Sequence, residues 1–309
     1  MRKVIIFTIN LIIISLLMMC SDDNNIGVVT EIYSGESSVK SPKWTADGER
    51  VLFTDGGALY FIDSDGSNLT EIPMINKNED ELVIYSCSIS NDGRYIAFSA
   101  VEINRGLSEI YLISSEGGEP VKLVEAGEDD NYHSPVWSYD DEWIYFLRSY
   151  DSSIWRIRPD GTDMSSIDIF SFTGYFYSIK CSKDGKYILL ECNDDILRKN
   201  DVFIGAIDNS EEWEVVDDRY FSSDEKDPCY SPDDRWVCFS NGFELFIVSS
   251  DGSGVPVKIT EHDYGGCGGA TPLCYLDMMP DWSPDGQYIV FTTTGDCISS
   301  VKVPDEFLP

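Results

Sequence analysis

Basic residues are scarce in this chain. Against 55 aspartates and glutamates stand 22 lysines and arginines, a net charge of −33 spread along all 309 residues rather than gathered in a tail. Without a basic stripe to neutralise phosphates, nucleic acid is excluded as a partner, and so is charge-driven adsorption to anionic lipid. An acidic solvating surface, a basic partner or a cation such as calcium remain open. Histidine is scarcer still, with only His133 and His262. The nucleophile-elbow pattern GxSxG, the zinc-protease pattern HExxH and the phosphate-binding pattern GxxxxGK(S/T) are all absent. No catalytic residue, metal site or cofactor is therefore expected, and enzymatic activity is not anticipated. Helical periodicity is missing too: after Cys20 no apolar pattern of period 3.6 is sustained. What is plentiful is apolar and aromatic material, 42% and 13% of residues, ample for a packed core.

The N-terminus stands apart. A short positive stretch, "MRK", precedes an apolar run of 16 residues, Val4 to Met19. About 20 apolar residues span a bilayer, so residues 1–19 read as a secretory signal. Cys20 follows directly, and its placement resembles the lipobox of bacterial lipoproteins, in which the cysteine is diacylated and becomes the new N-terminus. Met19 departs from the small residue usual there. "CSDDNN" also resembles the acidic tether of surface-exported lipoproteins. The resemblance implies lipidation at Cys20, a tether over 20–25, and anchoring to the outer membrane of a bacterial envelope. Eight cysteines remain after Cys20, an even number compatible with disulfides in an exported chain.

From there the chain repeats itself six times. "KWTADGERVLFT" begins at Lys43, "SISNDGRYIAFS" at Ser88, "VWSYDDEWIYFL" at Val136, "KCSKDGKYILLE" at Lys180, "CYSPDDRWVCFS" at Cys229 and "DWSPDGQYIVFT" at Asp281. Aligned on Gly48, Gly93, Asp141, Gly185, Asp234 and Gly286, the copies recur at intervals of 45, 48, 44, 49 and 52 residues. That is the period of a propeller blade. Each copy predicts a short strand, a tight turn, a longer strand, a third strand such as "ELFIVSS", a second turn and a short fourth strand such as "PVKITE". Gly, Asn and Asp suit these turns because they tolerate positive φ cheaply. The second strand is apolar on both faces, as a sheet sandwiched between neighbours requires. The last copy supplies only three strands, ending with "CISSVKV", and "GVVTEIYS" at Gly27 to Ser34 is matched in character to the missing one. The prediction is an all-β, six-bladed propeller over 26–309 with four-stranded blades, closed by its N-terminal strand.

The pattern "SPxWSPDGxxIxF" with a following "DSDG" turn resembles the TolB-type, WD-like propeller repeat. Asp141 and Asp234 depart from its glycine. The resemblance covers the chain beyond the leader, and it implies fold more than function, since such propellers serve as binding proteins, peptidase lids and lyases. The α/β domain that precedes the propeller in TolB has no room between Cys20 and Gly27. Lyases of this fold build metal sites from several histidines, which two histidines do not supply.

Other candidates have plainer readings. "DSDGSN", Asp63 to Asn68, invites calcium but lacks the further acids of an EF-hand loop, and hairpin chemistry explains it. Pairing Ser231 with Trp236 sets Cys229 opposite Cys238, where buried thiols compete with a strained disulfide. Cys267 and Cys274, in "GGCGGATPLCYL", can bridge, with Cys297 a competing partner. Cys181 replaces the usual tryptophan and reads as core.

Loop length carries the functional signal. Connections between blades, and between second and third strands, are long and share one face. Tyr132, His133, Tyr175, Phe176, Tyr220, Phe221, His262 and Tyr264 are expected to ring the channel mouth there. Exposed aromatics beside polar groups suit recognition of protein or glycan. The expectation is a monomeric, non-enzymatic binding or scaffolding propeller that contacts an envelope protein through this face. A lipid six residues from the first strand, a reach of roughly 20 Å, would keep it beside the membrane. The rival is glycan binding or processing, with Asp129, Asp217 and Asp263 as candidate carboxylates.

Overall fold

The computed structural model describes residues 26–35, 38–75, 82–128, 130–168, 174–194, 200–215, 225–261, 276–293 and 296–309. The first strand, β1 (Val29–Ser34), is set aside by the chain until the end. Blade one is then β2 (Lys40–Trp44), β3 (Arg50–Asp55), β4 (Ala58–Asp63) and β5 (Thr70–Glu71). Blade two comprises β6 (Leu82–Ile89), β7 (Tyr95–Glu102), β8 (Ser108–Ser114) and β9 (Val121–Val124). Blade three comprises β10 (Tyr132–Trp137), β11 (Ile144–Arg148), β12 (Ser153–Ile157) and β13 (Ser165–Ile167). Blade four comprises β14 (Gly174–Cys181), β15 (Tyr187–Asp194), β16 (Asn200–Ala206) and β17 (Glu212–Glu214). Blade five comprises β18 (Lys226–Tyr230), β19 (Trp236–Ser240), β20 (Leu245–Ser249) and β21 (Val257–Lys258). Blade six takes β22 (Asp277–Trp282), β23 (Tyr288–Thr293) and β24 (Cys297–Lys302), with β1 as its outer strand. All pairings between neighbouring strands are antiparallel, and β1 runs along β24 from Val29 opposite Val301 to Ser34 opposite Cys297. The ring is closed as the repeats predicted.

The core lies between blades rather than within them. Among the described residues six apolar clusters bridge successive blades, the last joining Trp44, Val51 and Phe53 of blade one to Val290 and Ile298 of blade six. The second strand of each blade feeds both of its neighbours, so it is buried on both faces. Phe53, Phe98, Phe146, Phe239 and Phe291 occupy one repeat position there, each fully buried. Burying each such ring contributes about 1.5–3 kcal/mol.

The hairpin joining first and second strands is built identically six times. A hydroxyl (Thr45, Ser90, Ser138, Ser182, Ser231 or Ser283) donates to the aspartate two residues on, at 2.5–2.8 Å. It also accepts the N–H that opens the second strand, at 2.9–3.1 Å. The two departures from glycine prove to be structural. Asp141, at φ 57°, accepts from the N–H of Asn91 at 2.8 Å and of Asp92 at 2.9 Å, both in the preceding blade. Asp234, at φ 59°, does the same to Lys183 at 2.9 Å and Asp184 at 3.3 Å. Each carboxylate staples its hairpin to the one before, which a glycine cannot do. At Gly286 the opposite demand holds: φ is +77° and a Cβ would lie 2.5 Å from Pro309. There the C-terminal tail packs against the ring, with Phe307 buried and edge-on to Trp236 at 5.0 Å.

The "DSDGSN" turn is held by its own side chains, Asn68 Nδ2 donating to Asp63 at 2.7 Å and the Ser67 N–H to Asp65 at 2.9 Å. Cys229 stands opposite Cys238 in register, and both are free thiols. Cys181 is free and half-buried beside the cluster between blades three and four, and Cys297 is free as well. Cys20, Cys267 and Cys274 lie outside the described residues.

Candidate binding site in the central channel

The innermost strand of every blade is interrupted by a register shift, between Lys40 and Lys43, Ile84 and Ser86, His133 and Val136, Phe176 and Ser178, Lys226 and Cys229, and Met278 and Asp281. A bulge bends its strand and re-aims the side chains beyond it. In four blades it places a non-glycine residue at positive φ directly before a proline: Ser41, Ser134, Asp227 and Met279, at 51–54°. Such residues cost of order 1–3 kcal/mol each, and all four line the channel.

Past the bulge, one repeat position supplies a ring of six residues: Lys43, Ser88, Val136, Lys180, Cys229 and Asp281. Five of these line a cavity of about 470 Å³ that opens on the face of the inter-blade connections. A second cavity of about 490 Å³ opens on the hairpin face, and Trp44, Ile89, Trp137 and Asp281 border both. Lys43 pairs with Asp281 at 3.0 Å, and the other oxygen of Asp281 accepts the Trp44 N–H at 2.9 Å. This clasps blade six to blade one on the inside, where β1 clasps it on the outside. Burial works to lower the pKa of Lys43, but the Asp281 carboxylate together with the neighbouring Lys180 and Cys229 outweighs it, and the ammonium is held above its ordinary value. Lys180, from the opposite blade, reaches the same place. Burial and then the Lys43 charge bring its pKa down to about 8.

Beside this pair runs a buried acid chain. Glu191, 4% exposed, accepts from Asn200 Nδ2 at 2.7 Å and from the Asp227 N–H at 2.9 Å. Asp227 accepts the Met279 N–H at 3.2 Å. Burial, then the Asp227 charge, raises Glu191 to about 8, and burial holds Asp227 above the usual carboxylate value. Among the described residues no group of three or more His, Cys, Asp or Glu side chains is arranged to hold a metal ion.

The expected mouth residues divide. His133 lines the cavity, its Nδ1 3.1 Å from Ser134 Oγ, and burial lowers its pKa to about 4. Tyr132 is a correction: it is 6% exposed and packs edge-on to Phe146 at 5.5 Å, because strand alternation turns it away from His133 into the core. Tyr175 is exposed, whereas Phe176 points the other way and packs on the apolar cluster between blades three and four. Tyr177, unselected in sequence, is exposed and lines the cavity. Tyr220, Phe221, His262 and Tyr264 lie outside the described residues, as do Asp129, Asp217 and Asp263. The ring of Lys43, Lys180 and Asp281 was missed, although its signal was present: it is the residue before the terminal apolar position of each first strand.

With this geometry in hand the likenesses can be placed. No family model matches the chain. It is 24% identical over 258 residues to the uncharacterised protein Atu1656 of Agrobacterium fabrum, covering 82% of this chain and 65% of that one. It spans 65%, 29% and 27% of the lengths of three curated relatives. Among solved structures, a protein of Agrobacterium tumefaciens described as a TolB superposes with a TM-score of 0.63 at 19% identity, covering 89% of this chain and 96% of the other. The fold is the TolB-type propeller. Its likeness extends to enzymes: a gluconolactonase of Xanthomonas campestris has a TM-score of 0.65 at 13% identity, covering 91% of each chain. The oligogalacturonate lyase of Vibrio parahaemolyticus has 0.60 at 12%, covering 89% of this chain and 79% of its own. The fold is thus shared between TolB-like and sugar-acting propellers, and the residues must decide between them.

Proposed function

We propose that this TolB-like propeller is a binding module of the bacterial envelope that receives a partner protein on the face of its inter-blade connections. The observation carrying this reading is the gathering of exposed aromatics there. Tyr85, Tyr150, Tyr175, Tyr177 and Phe243 are each 45–68% exposed; the first, third and fourth lie in the leading halves of β6 and β14, and Tyr150 and Phe243 in connections between second and third strands, all toward that face. Aromatic side chains give large contact area for few rotors and dominate hot spots. The blades beneath hold them rigidly, which lowers the ordering cost of association. Export and lipidation at Cys20 are part of the proposal, resting on the leader sequence; among the described residues no helix is long and apolar enough to cross a membrane.

The test is site-directed photocrosslinking from position 177, with position 139 on the hairpin face as control, followed by reconstitution with the purified crosslinked protein. Tyr177→Ser should weaken that complex at least tenfold. Crosslinks of equal yield from both positions would sink the reading. A second reading, glycan binding or processing, is favoured by one observation: Asp227, with its raised pKa, lines the cavity beside exposed tyrosines. Hydrolysis or elimination of an envelope glycan that is lost in Asp227→Asn would establish it instead.

A further inference from the structure

The upper cavity contains a cation that the protein leaves unanswered. Elsewhere basic side chains find acids: Arg148 meets Asp130 at 2.7 Å and Lys122 meets Glu109 at 2.6 Å. Others lie over aromatic rings, as Arg50 over Phe61, Arg156 over Trp143 and Lys183 over Tyr139. Among the described residues Lys180 has neither a carboxylate within ion-pair distance nor an aromatic face, in a chain with 55 acids for 22 bases. Acids are not in short supply, yet Asp281 and Asp227 act on Lys180 only from beyond ion-pair distance. Lys180 shares the cavity with Lys43, whose charge Asp281 already answers. Asp227, the other acid of the wall, is occupied by the Met279 N–H. Two residues before Lys180, Ser178 also lines the cavity, and its hydroxyl is buried without a hydrogen-bond partner. A buried polar group left unpaired is costly, so a hydroxyl without a partner two residues from an ammonium without a carboxylate in ion-pair distance marks a place kept for something else.

We propose that this cavity binds a small monocarboxylate with a hydroxylated body, its carboxylate seated on Lys180 beside Lys43 and within reach of Ser178. The charge count selects the class. Burial favours the neutral form of Asp227, which leaves one ammonium without a matching charge, so one negative charge is neutralised, while the Asp281 carboxylate repels a second and disfavours phosphate or sulfate dianions. The wall selects the body, since Ser41, Ser86 and Ser134 present hydroxyls and Tyr177 presents an exposed ring. About 470 Å³ lies within the usual range of small-molecule sites. The site shares Tyr177 with the face proposed to hold a protein but takes its charge recognition from Lys180 below it, and it requires no bond to be made or broken.

Calorimetric titration of the full-length chain with D-glucuronate, lactate, glucose and inorganic phosphate tests it. Glucuronate should bind at least tenfold more tightly than glucose or phosphate. Lys180→Met should reduce glucuronate affinity at least tenfold, a charge-assisted hydrogen bond being lost. Ser178→Ala should reduce it severalfold. Raising the pH from 6.5 to 9.5 should weaken binding more steeply in the wild type than in Lys180→Met, since Lys180 sheds its proton around 8 in the first only, whereas Glu191 behind Asp227 sheds its own in the same range in both. Thermal melting checks the fold of each variant, and Lys180→Gln replaces Lys180→Met if that variant melts early. Neither carboxylate binding above glucose, phosphate binding more tightly than glucuronate, or full affinity in both Lys180 variants would overturn the proposal.

Discussion

The two ends of each innermost strand follow opposite rules. At the hairpin end all six blades use one device, a serine or threonine hydroxyl clamped between an aspartate and the next strand. At the bulged end the residues two positions earlier are Lys43, Ser88, Val136, Lys180, Cys229 and Asp281, six blades with five chemistries. Uniformity at the first end is what a repeated backbone demands, since each turn faces the same hydrogen-bonding problem. Variety at the second end has no such cause. The channel breaks the symmetry of the ring, and chemistry belongs where the repeats stop agreeing.

The largest effect expected from this contrast is on stability. Phe239→Ala removes a fully buried ring at the position shared by five blades and should cost about 3–5 kcal/mol. Tyr177→Ser, on the exposed rim, should stay within about 0.5 kcal/mol. Urea unfolding of both variants measures the difference. Equal losses would show that the rim, too, is scaffold.

The same contrast explains what could be read from the chain. Strand order, blade count and closure were legible because hairpin chemistry repeats locally: "SPDG" specifies its own turn wherever it stands. The register of Cys229 against Cys238 followed from counting across one such turn. The site resisted because its residues agree in position and differ in kind, so no motif announces them; Lys43 and Lys180 are 137 residues apart and meet only once six blades close a ring. Tyr132 was misplaced for a smaller reason. A loop reading makes neighbours such as Tyr132 and His133 equivalent, whereas β10 turns one inward to Phe146 and the other to the channel.

A pH titration sharpens the comparison next. The hairpin aspartates Asp47, Asp92 and Asp140 are held below their ordinary pKa, the first and third chiefly by the Thr45 and Ser138 hydroxyls and the second by the Arg94 N–H. Their stabilisation is present above the unfolded pKa, near 4, and is lost as pH falls through the lower folded values. Glu191 runs the other way. Its folded pKa of about 8 exceeds the unfolded one, so between roughly 4.5 and 8 the folded state holds the extra proton and stability declines as pH rises. Glu191→Gln should remove that decline while leaving the acid limb untouched, read from urea midpoints at pH 5 and 8. An unchanged slope would mean that Glu191 is ionised inside the ring.

The smallest effect isolates the staples. Asp141 combines two roles, a left-handed backbone and a carboxylate reaching Asn91 and Asp92. Asp141→Gly keeps the first, because glycine adopts φ 57° without strain, and removes only the second. The loss should be about 1 kcal/mol, partly offset because the unstrained backbone favours glycine, and urea unfolding measures it. Gly48→Asp makes the reciprocal test in a blade that lacks the staple, with Pro284 of blade six 3.7 Å from the new Cβ. It gains a carboxylate facing a proline ring instead of an accommodating asparagine, so it should not stabilise. If Asp141→Gly costs nothing at neutral pH, the staple is a consequence of the fold rather than one of its supports, and the hairpin end is even more uniform than its sequence.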